Sequence, residues 1–365
     1  MRKLLVLFSL AGILAASDPP KQGSATQPSA SGQTPDQNQK PTFAVGVKEV
    51  MAPVTVTDSD GNIVSGLTPL DFRILDNGHP QKFTEDIAVH PISLVVAVQA
   101  SAQVEKILPQ IRNVGSVFDT LVTGENGEMA VLAFDHTVKT MTPFTSDPDK
   151  IHKAFKDLRA GSWTFSLNDA TTKALNMLRD RPSNRRRILV LISESRDNGS
   201  EMHVRDVLTE AEFADVVIYS VDISHLLSSL TEKPLPNRPL TAPPGGISLP
   251  AGQVLTPTLA RQMNQNGNWT PVFKEIFTAV KAIFVPNPLE VYTKYTGGRE
   301  YPFFSRRGLE QAVSDIGEEL HNQYLLTYSP NDQNEAGFHE ITVEVDKPGL
   351  KVRTRNGYWL AGKPK

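Results

Sequence analysis

The 365-residue chain contains no cysteine. That excludes disulfides, thiolate metal sites, cysteine nucleophiles and a lipidated N-terminal cysteine. It also lacks a strong charge bias: 37 basic against 40 acidic residues leave a formal −3. Such a balance gives no footing for nucleic acid or an anionic membrane surface. There is no Gly-x-Ser-x-Gly elbow and no Walker lysine, which removes two common routes to hydrolysis and nucleotide binding. After the N-terminus, no apolar run is long enough to span a bilayer.

What is present begins with a basic pair, Arg2 and Lys3, followed by an apolar stretch from Leu4 to Ala16 and small residues at Ala15 and Ser17. Residues 1–17 therefore read as a secretory signal, and the mature protein is expected to be exported, periplasmic or extracellular, without a transmembrane segment. Residues 18–42 are mostly Ser, Gln, Pro, Gly, Thr, Asp and Lys, too poor in apolar side chains to offset the entropy of ordering. They read as a disordered linker.

From Phe43 to about His90 the pattern has period two, as in antiparallel strands. Asp76-Asn77-Gly78 supplies a hairpin turn, and Asp58 to Asn62 a strand-to-strand turn rather than a calcium loop, whose later ligands are missing. Residues 91–322 alternate strand with helix. Leu94–Val98, Met129–Phe134, Ile188–Ile192 and Val216–Val221 are short, uniformly apolar runs, as in parallel strands buried on both faces. Val138 to Phe144 is expected to return antiparallel at the edge. The residues Ile107 to Leu121, Ile151 to Leu158, Leu167 to Leu178 and Val204 to Ala211 each carry an apolar helical face. A Pro-rich insertion occupies 224–271, with a weak helical piece near Leu259. A helix over Val272 to Phe284, a short one to Tyr295, a strand over Arg299 to Phe304 and a last helix around Leu309 to Leu320 complete the region. Arg185-Arg186-Arg187 is expected to solvate the entry of a buried strand. Residues 323–365 return to period two and are expected to pair with the strands of 43–90, since a few strands cannot cover two faces alone.

Several segments resemble a known family. Val54-Thr55-Val56-Thr57-Asp58, Gly66-Leu67, Asp71-Phe72, Asp76-Asn77-Gly78, Tyr295-Thr296-Gly297-Gly298-Arg299, Gln323 to Pro330, Pro348 to Arg353 and Gly357-Tyr358 occur in the order found in von Willebrand factor type A proteins. The likeness is to the exported form best known from acidobacteria. It implies an α/β fold, a doubly wound, mostly parallel sheet, with a small β module built from both chain ends. It also implies adhesion or protein–protein interaction. Many such domains hold a divalent ion on Asp-x-Ser-x-Ser, a Thr and an Asp at the carboxyl edge of the sheet. Here the first motif reads Gln99-Ala100-Ser101-Ala102-Gln103, Phe165 stands where the Thr belongs, and Glu194 replaces the Asp.

Replacing Asp by Gln removes one charge from a dication, on the order of 8 kcal/mol of gross attraction at about 4 Å and an effective dielectric of about 20. The sequence therefore predicts a non-enzymatic binding protein with a degenerate metal site and no cofactor. The candidate contact residues are Gln99, Ser101, Gln103, Trp163, Thr164 and Glu194. Its alternative is an atypical Mg²⁺ or Ca²⁺ site on Ser101, Thr164 and Glu194. A more distant one is a serine hydrolase using Ser101 with His136 or His203.

Overall fold

The computed structural model describes residues 49–86, 91–118, 127–182, 184–224, 226–227, 253–262, 268–303, 306–331 and 335–360. The expected signal (1–17), the linker (18–42) and most of the Pro-rich insertion lie outside the described residues. Along the chain run β1 (Val50–Thr57), β2 (Phe72–Asp76), β3 (His79–Pro80), β4 (Phe83–Asp86), β5 (Ile92–Gln99) and α1 (Leu108–Arg112). Next come β6 (Glu128–Phe134), β7 (Val138–Thr145), α2 (Pro148–Lys156), α3 (Leu167–Arg179), β8 (Arg186–Ser193), α4 (Val204–Ala214) and β9 (Val216–Asp222). Then follow β10 (Gln253–Val254), α5 (Pro257–Gln262), α6 (Thr270–Thr278), β11 (Ala282–Ile283), α7 (Pro288–Thr296), β12 (Glu300–Pro302) and α8 (Arg306–Asn322). The chain closes with β13 (Tyr324–Tyr328), β14 (Gly337–Val345), β15 (Lys351–Arg353) and β16 (Gly357–Leu360).

The four apolar runs form the centre of a six-stranded sheet in the order β12-β9-β8-β5-β6-β7, parallel except for β7. Every residue of β5 is buried, because successive side chains enter two different cores. Leu94, Val96 and Val98 meet Ile111, Phe118, Phe155 and Ile316 on one face; Val95 and Ala97 meet Leu167, Leu175 and Val207 on the other. This is the doubly wound α/β architecture expected, and it points the loops after β5, β6, β8 and β9 to one carboxyl edge. Asp147 caps α2 by accepting from Asp149 N at 3.0 Å, with Pro148 in the first turn.

Three expectations require correction. The apolar face from Ile107 to Phe118 is buried as expected, but no continuous helix carries it. Only Leu108–Arg112 is α-helical, flanked by 3-10 turns at Ala102–Val104 and Val114–Ser116. Asn113 and Gly115 are weak helix formers, and a Cβ at Gly115 would lie 3.2 Å from the Phe155 ring, so close packing against α2 outweighs helix propagation. The helix expected over Val272 to Phe284 stops at Thr278, and Ala282–Ile283 instead pairs in parallel with Gln253–Val254 at the end of the insertion. The basic triplet does not merely solvate a strand entry. Arg185 donates to Ile92 O and Ser93 Oγ, Arg186 to Gln323 Oε1 and Leu320 O, and Arg187 to Ala214 O and Arg181 O. The guanidinium forks satisfy carbonyls left over where chain segments end.

The two chain ends pair as expected, in two four-stranded antiparallel sheets ordered β15-β1-β13-β4 and β16-β14-β2-β3. Val50 lies opposite Tyr328, and Ile74 opposite Val343. Asn77 (φ 48°) and Gly78 (φ 79°) make the β2–β3 turn, with the positive angles this dipeptide tolerates. Between the sheets lies a core of Val54, Val56, Ile74, Leu326, Ile341 and Tyr358. Within it Asp76 accepts from His339 Nδ1 (2.8 Å), Tyr358 OH (2.7 Å) and Tyr328 OH (3.0 Å). Aromatic rings tie this module to the helices: Phe273 of α6 stacks on Phe338, and Phe277 on Trp359.

Candidate functional site

Gln99 ends β5 and is fully buried. Its side-chain oxygen accepts from the backbone N–H of Glu194 at 2.8 Å and from Ser193 Oγ at 3.0 Å. A backbone N–H can only donate, so this contact fixes which way the amide faces. The amide nitrogen then donates to Ser101 Oγ (2.8 Å) and Glu194 Oε1 (2.9 Å). All four hydrogen-bonding positions of the amide are filled, as a buried polar group requires.

The donor set does not fit a divalent ion. Gln99 presents N–H groups, which cannot ligate a cation, toward Ser101 Oγ and Glu194 Oε1, and of the Glu194 carboxylate only the second oxygen is left unengaged, too few hard oxygen ligands for a divalent ion. The Thr164 carbonyl accepts from Ser162 Oγ at 2.9 Å, and Phe165, in the threonine's place, is packed in the core and has no ligating side-chain atom. Among the described residues, no three His, Asp or Glu side chains come together in a way that would hold a metal ion.

Beside this network a short loop carries Trp163, which is 71% exposed. Its backbone is pinned on several sides. Gly161 N donates to Ala100 O (2.7 Å), Ala102 N to Ser162 O (2.8 Å), and Gln103 Nε2 to Trp163 O (3.2 Å). Asp135, after β6, accepts from Ser162 N at 2.9 Å and from Thr137 N at 2.8 Å. Burial opposes its charge, but these donors outweigh burial and lower its pKa to about 2. Gly161 is required by close approach: a Cβ there would sit 2.1 Å from Asp135 Oδ2. The next loop locks onto the same stretch, with Phe165 N donating to Asn198 Oδ1 and Leu167 N to Asp197 Oδ1, each at 2.8 Å.

The expected contact residues thus divide. Trp163 and Thr164 are exposed, and Gln103 and Glu194 are half-buried. Gln99 and Ser101 have no exposed surface, so they hold the edge in shape and cannot touch a partner; that is a correction to their expected role. Among the described residues, no histidine hydrogen-bonds Ser101. His203 is the N-cap residue of α4, and His136 Nδ1 lies 2.8 Å from Ser162 Oγ instead. Ser162 Oγ donates to Thr164 O, so the imidazole nitrogen is the donor to it. Asp135 Oδ2 faces that same nitrogen at 3.3 Å, whereas a relay places serine and carboxylate on opposite nitrogens. Asp135, Gly161 and Ser162 were missed by sequence reasoning. Gly161-Ser162 directly before an exposed tryptophan was the only signal available.

Carboxylates line the rest of this edge. The Glu194 pKa is raised, first by burial and further by Asp222, against the opposing pull of Gln99 and Arg196. Glu300 of β12 is pushed up to about 7 by burial, then by Asp222 and Glu290.

Residues 97–196 match the family model of the von Willebrand factor type A domain. The match starts inside β5 and ends two residues past Glu194, so it spans the Gln99 network and the Trp163 loop. The fold is the α/β type A fold, with a mostly parallel central sheet and additional antiparallel sheets. Among solved structures, BatB of Bacteroides thetaiotaomicron is 11% identical with a TM-score of 0.37, over 62% of this chain and 99% of that one. An aerotolerance-related membrane protein of Bacteroides fragilis is 13% identical with a TM-score of 0.36 over the same shares. The vWF domain of the type V pili tip protein Mfa5 of Porphyromonas gingivalis is 15% identical with a TM-score of 0.26, over 30% of this chain and 40% of that one. No curated protein matches the chain in sequence. Among the described residues, no helix is long and apolar enough to cross a membrane.

Proposed function

We propose that this chain is an exported, non-enzymatic binding protein of the adhesion type, which recognises a protein or surface partner through the carboxyl-edge loops of its type A domain. The observation that carries this reading is Trp163, a large apolar side chain held in solvent by a loop whose backbone is hydrogen-bonded on both sides. Tryptophan is enriched among the residues that dominate binding energy. A pinned loop also loses little conformational freedom when a partner docks. Recognition is proposed to need no divalent ion and no cofactor, because Gln99 brings N–H groups, which cannot ligate, to the place of a carboxylate ligand and leaves one unengaged Glu194 oxygen there.

The test uses the full chain and its Trp163→Ala variant as baits for cell-envelope proteins, each with and without chelator. The expected result is a partner captured equally with chelator and lost with the variant, whose melting temperature stays unchanged. A partner retained by Trp163→Ala, or captured only in the presence of Mg²⁺ or Ca²⁺, would refute the reading.

A further inference from the structure

Glu194 places a carboxylate at the carboxyl edge that no ion pair among the described residues neutralises. One carboxylate oxygen accepts from Gln99 Nε2, and among the described residues the other has no hydrogen-bond or ion-pair partner. The residue is half-buried, so part of its hydration is already gone. Asp222, at the end of the neighbouring strand, adds a second negative charge. Arg196 is exposed two residues on and acts on Glu194 through space, but makes no ion pair with it among the described residues. A neutral amide therefore orients this carboxylate without cancelling it.

The loop that carries Trp163 is tied to the same edge by a chain of hydrogen bonds. Glu194 bonds Gln99, Gln99 bonds Ser101, and the next residue, Ala102, bonds the carbonyl of Ser162. An exposed indole face attracts a cation. A half-desolvated carboxylate gains most from a charged donor that replaces its lost water.

Resting on the proposed partner-binding role of this edge, we propose that the partner is a basic protein segment, one lysine or arginine of which hydrogen-bonds the free oxygen of Glu194 while the segment packs against Trp163.

Two pools of fluorescent peptides with randomised flanks test this, one with lysine or arginine at the centre and one with aspartate or glutamate. Each is titrated into the full chain and into Glu194→Gln and Trp163→Ala. Glu194→Gln keeps an oxygen for Gln99 to bond, so the edge stays folded, and equal melting temperatures check this. The expected result is binding of the basic pool alone, weakened by about tenfold or more in Glu194→Gln. It should also weaken as salt rises, fall in Trp163→Ala and be unaffected by chelator. Preference for the acidic pool, a requirement for divalent ions, or no binding of either pool at millimolar concentration overturns the inference. Loss in Trp163→Ala without loss in Glu194→Gln overturns it while leaving the binding role standing. Insensitivity to both variants removes the two together.

Discussion

Arg355 Nη2 lies 2.6 Å from Glu212 Oε2, with both side chains buried and 143 residues apart in sequence. Tyr295 OH donates to the same oxygen at 2.9 Å, and Arg355 Nε reaches Gly357 O at 3.1 Å. Burial works against the guanidinium charge, yet Glu212 outweighs it and raises the Arg355 pKa. The pair fastens the link between β15 and β16 to α4. Removing one partner leaves the other as a buried charge, so Arg355→Met should cost about 3–5 kcal/mol in denaturant unfolding. The double variant with Glu212→Gln should recover part of that loss. A cost under about 1 kcal/mol would show that the pair contributes little.

His339 predicts a pH limit for the module. Its ring nitrogens face two acceptors, Asp76 Oδ1 and Glu335 O, each at 2.8 Å; only the imidazolium can donate to both. Asp76 foremost, against the opposing effect of burial, raises the His339 pKa above 6.5. The folded state therefore holds the proton more tightly than the unfolded state. The resulting stability is complete below about pH 6.5 and is lost as pH rises through the folded pKa. Unfolding midpoints measured across this range should fall on the alkaline side, and His339→Gln should flatten that dependence.

Glu300 titrates in a different window. Burial, with Asp222 and Glu290, lifts it from 4.5 to about 7, so the folded state again binds the extra proton. Stability from this group is present below pH 4.5 and is lost as pH rises to about 7, a change on the order of 3 kcal/mol. The stability difference between Glu300→Gln and the natural chain should grow across that window in favour of the variant. A constant difference would rule out the raised pKa.

Gln99→Glu tests the amide network directly. The substitution keeps the shape but turns two donors into acceptors against Ser101 Oγ and Glu194 Oε1. The variant should lose about 2–4 kcal/mol at pH 8, and less at pH 5, where one carboxyl can carry a proton. In the natural chain, millimolar Mg²⁺, Mn²⁺ or Ca²⁺ should leave the melting temperature unchanged, and a clear rise would contradict the amide's role.

The central sheet was legible because parallel strands buried on both faces leave uninterrupted apolar runs, as at Leu94–Val98. The joining of the chain ends was legible because period-two segments too short to cover themselves occur only there. The break in the first helix was not, since Ile107, Ile111, Val114 and Phe118 keep helical spacing while Gly115 yields to Phe155. Nor could spacing show Arg355 against Glu212, or His339 against Asp76, because such pairs are fixed by tertiary packing across the whole chain. At the edge, the sequence placed Gln99 and Glu194 correctly at their strand ends. Their mutual hydrogen bonds depend on a side-chain orientation that only the folded backbone sets.

β1 finds its partners near the far end of the chain, Val50 opposite Tyr328 and Val56 opposite Val352. During synthesis at about 5–20 residues per second, the first strand would wait on the order of tens of seconds for its neighbours. Through that interval Val50, Val54 and Val56, all buried in the finished protein, lack both neighbouring strands. A chain that ends before residue 324 therefore leaves its opening strand without either neighbour.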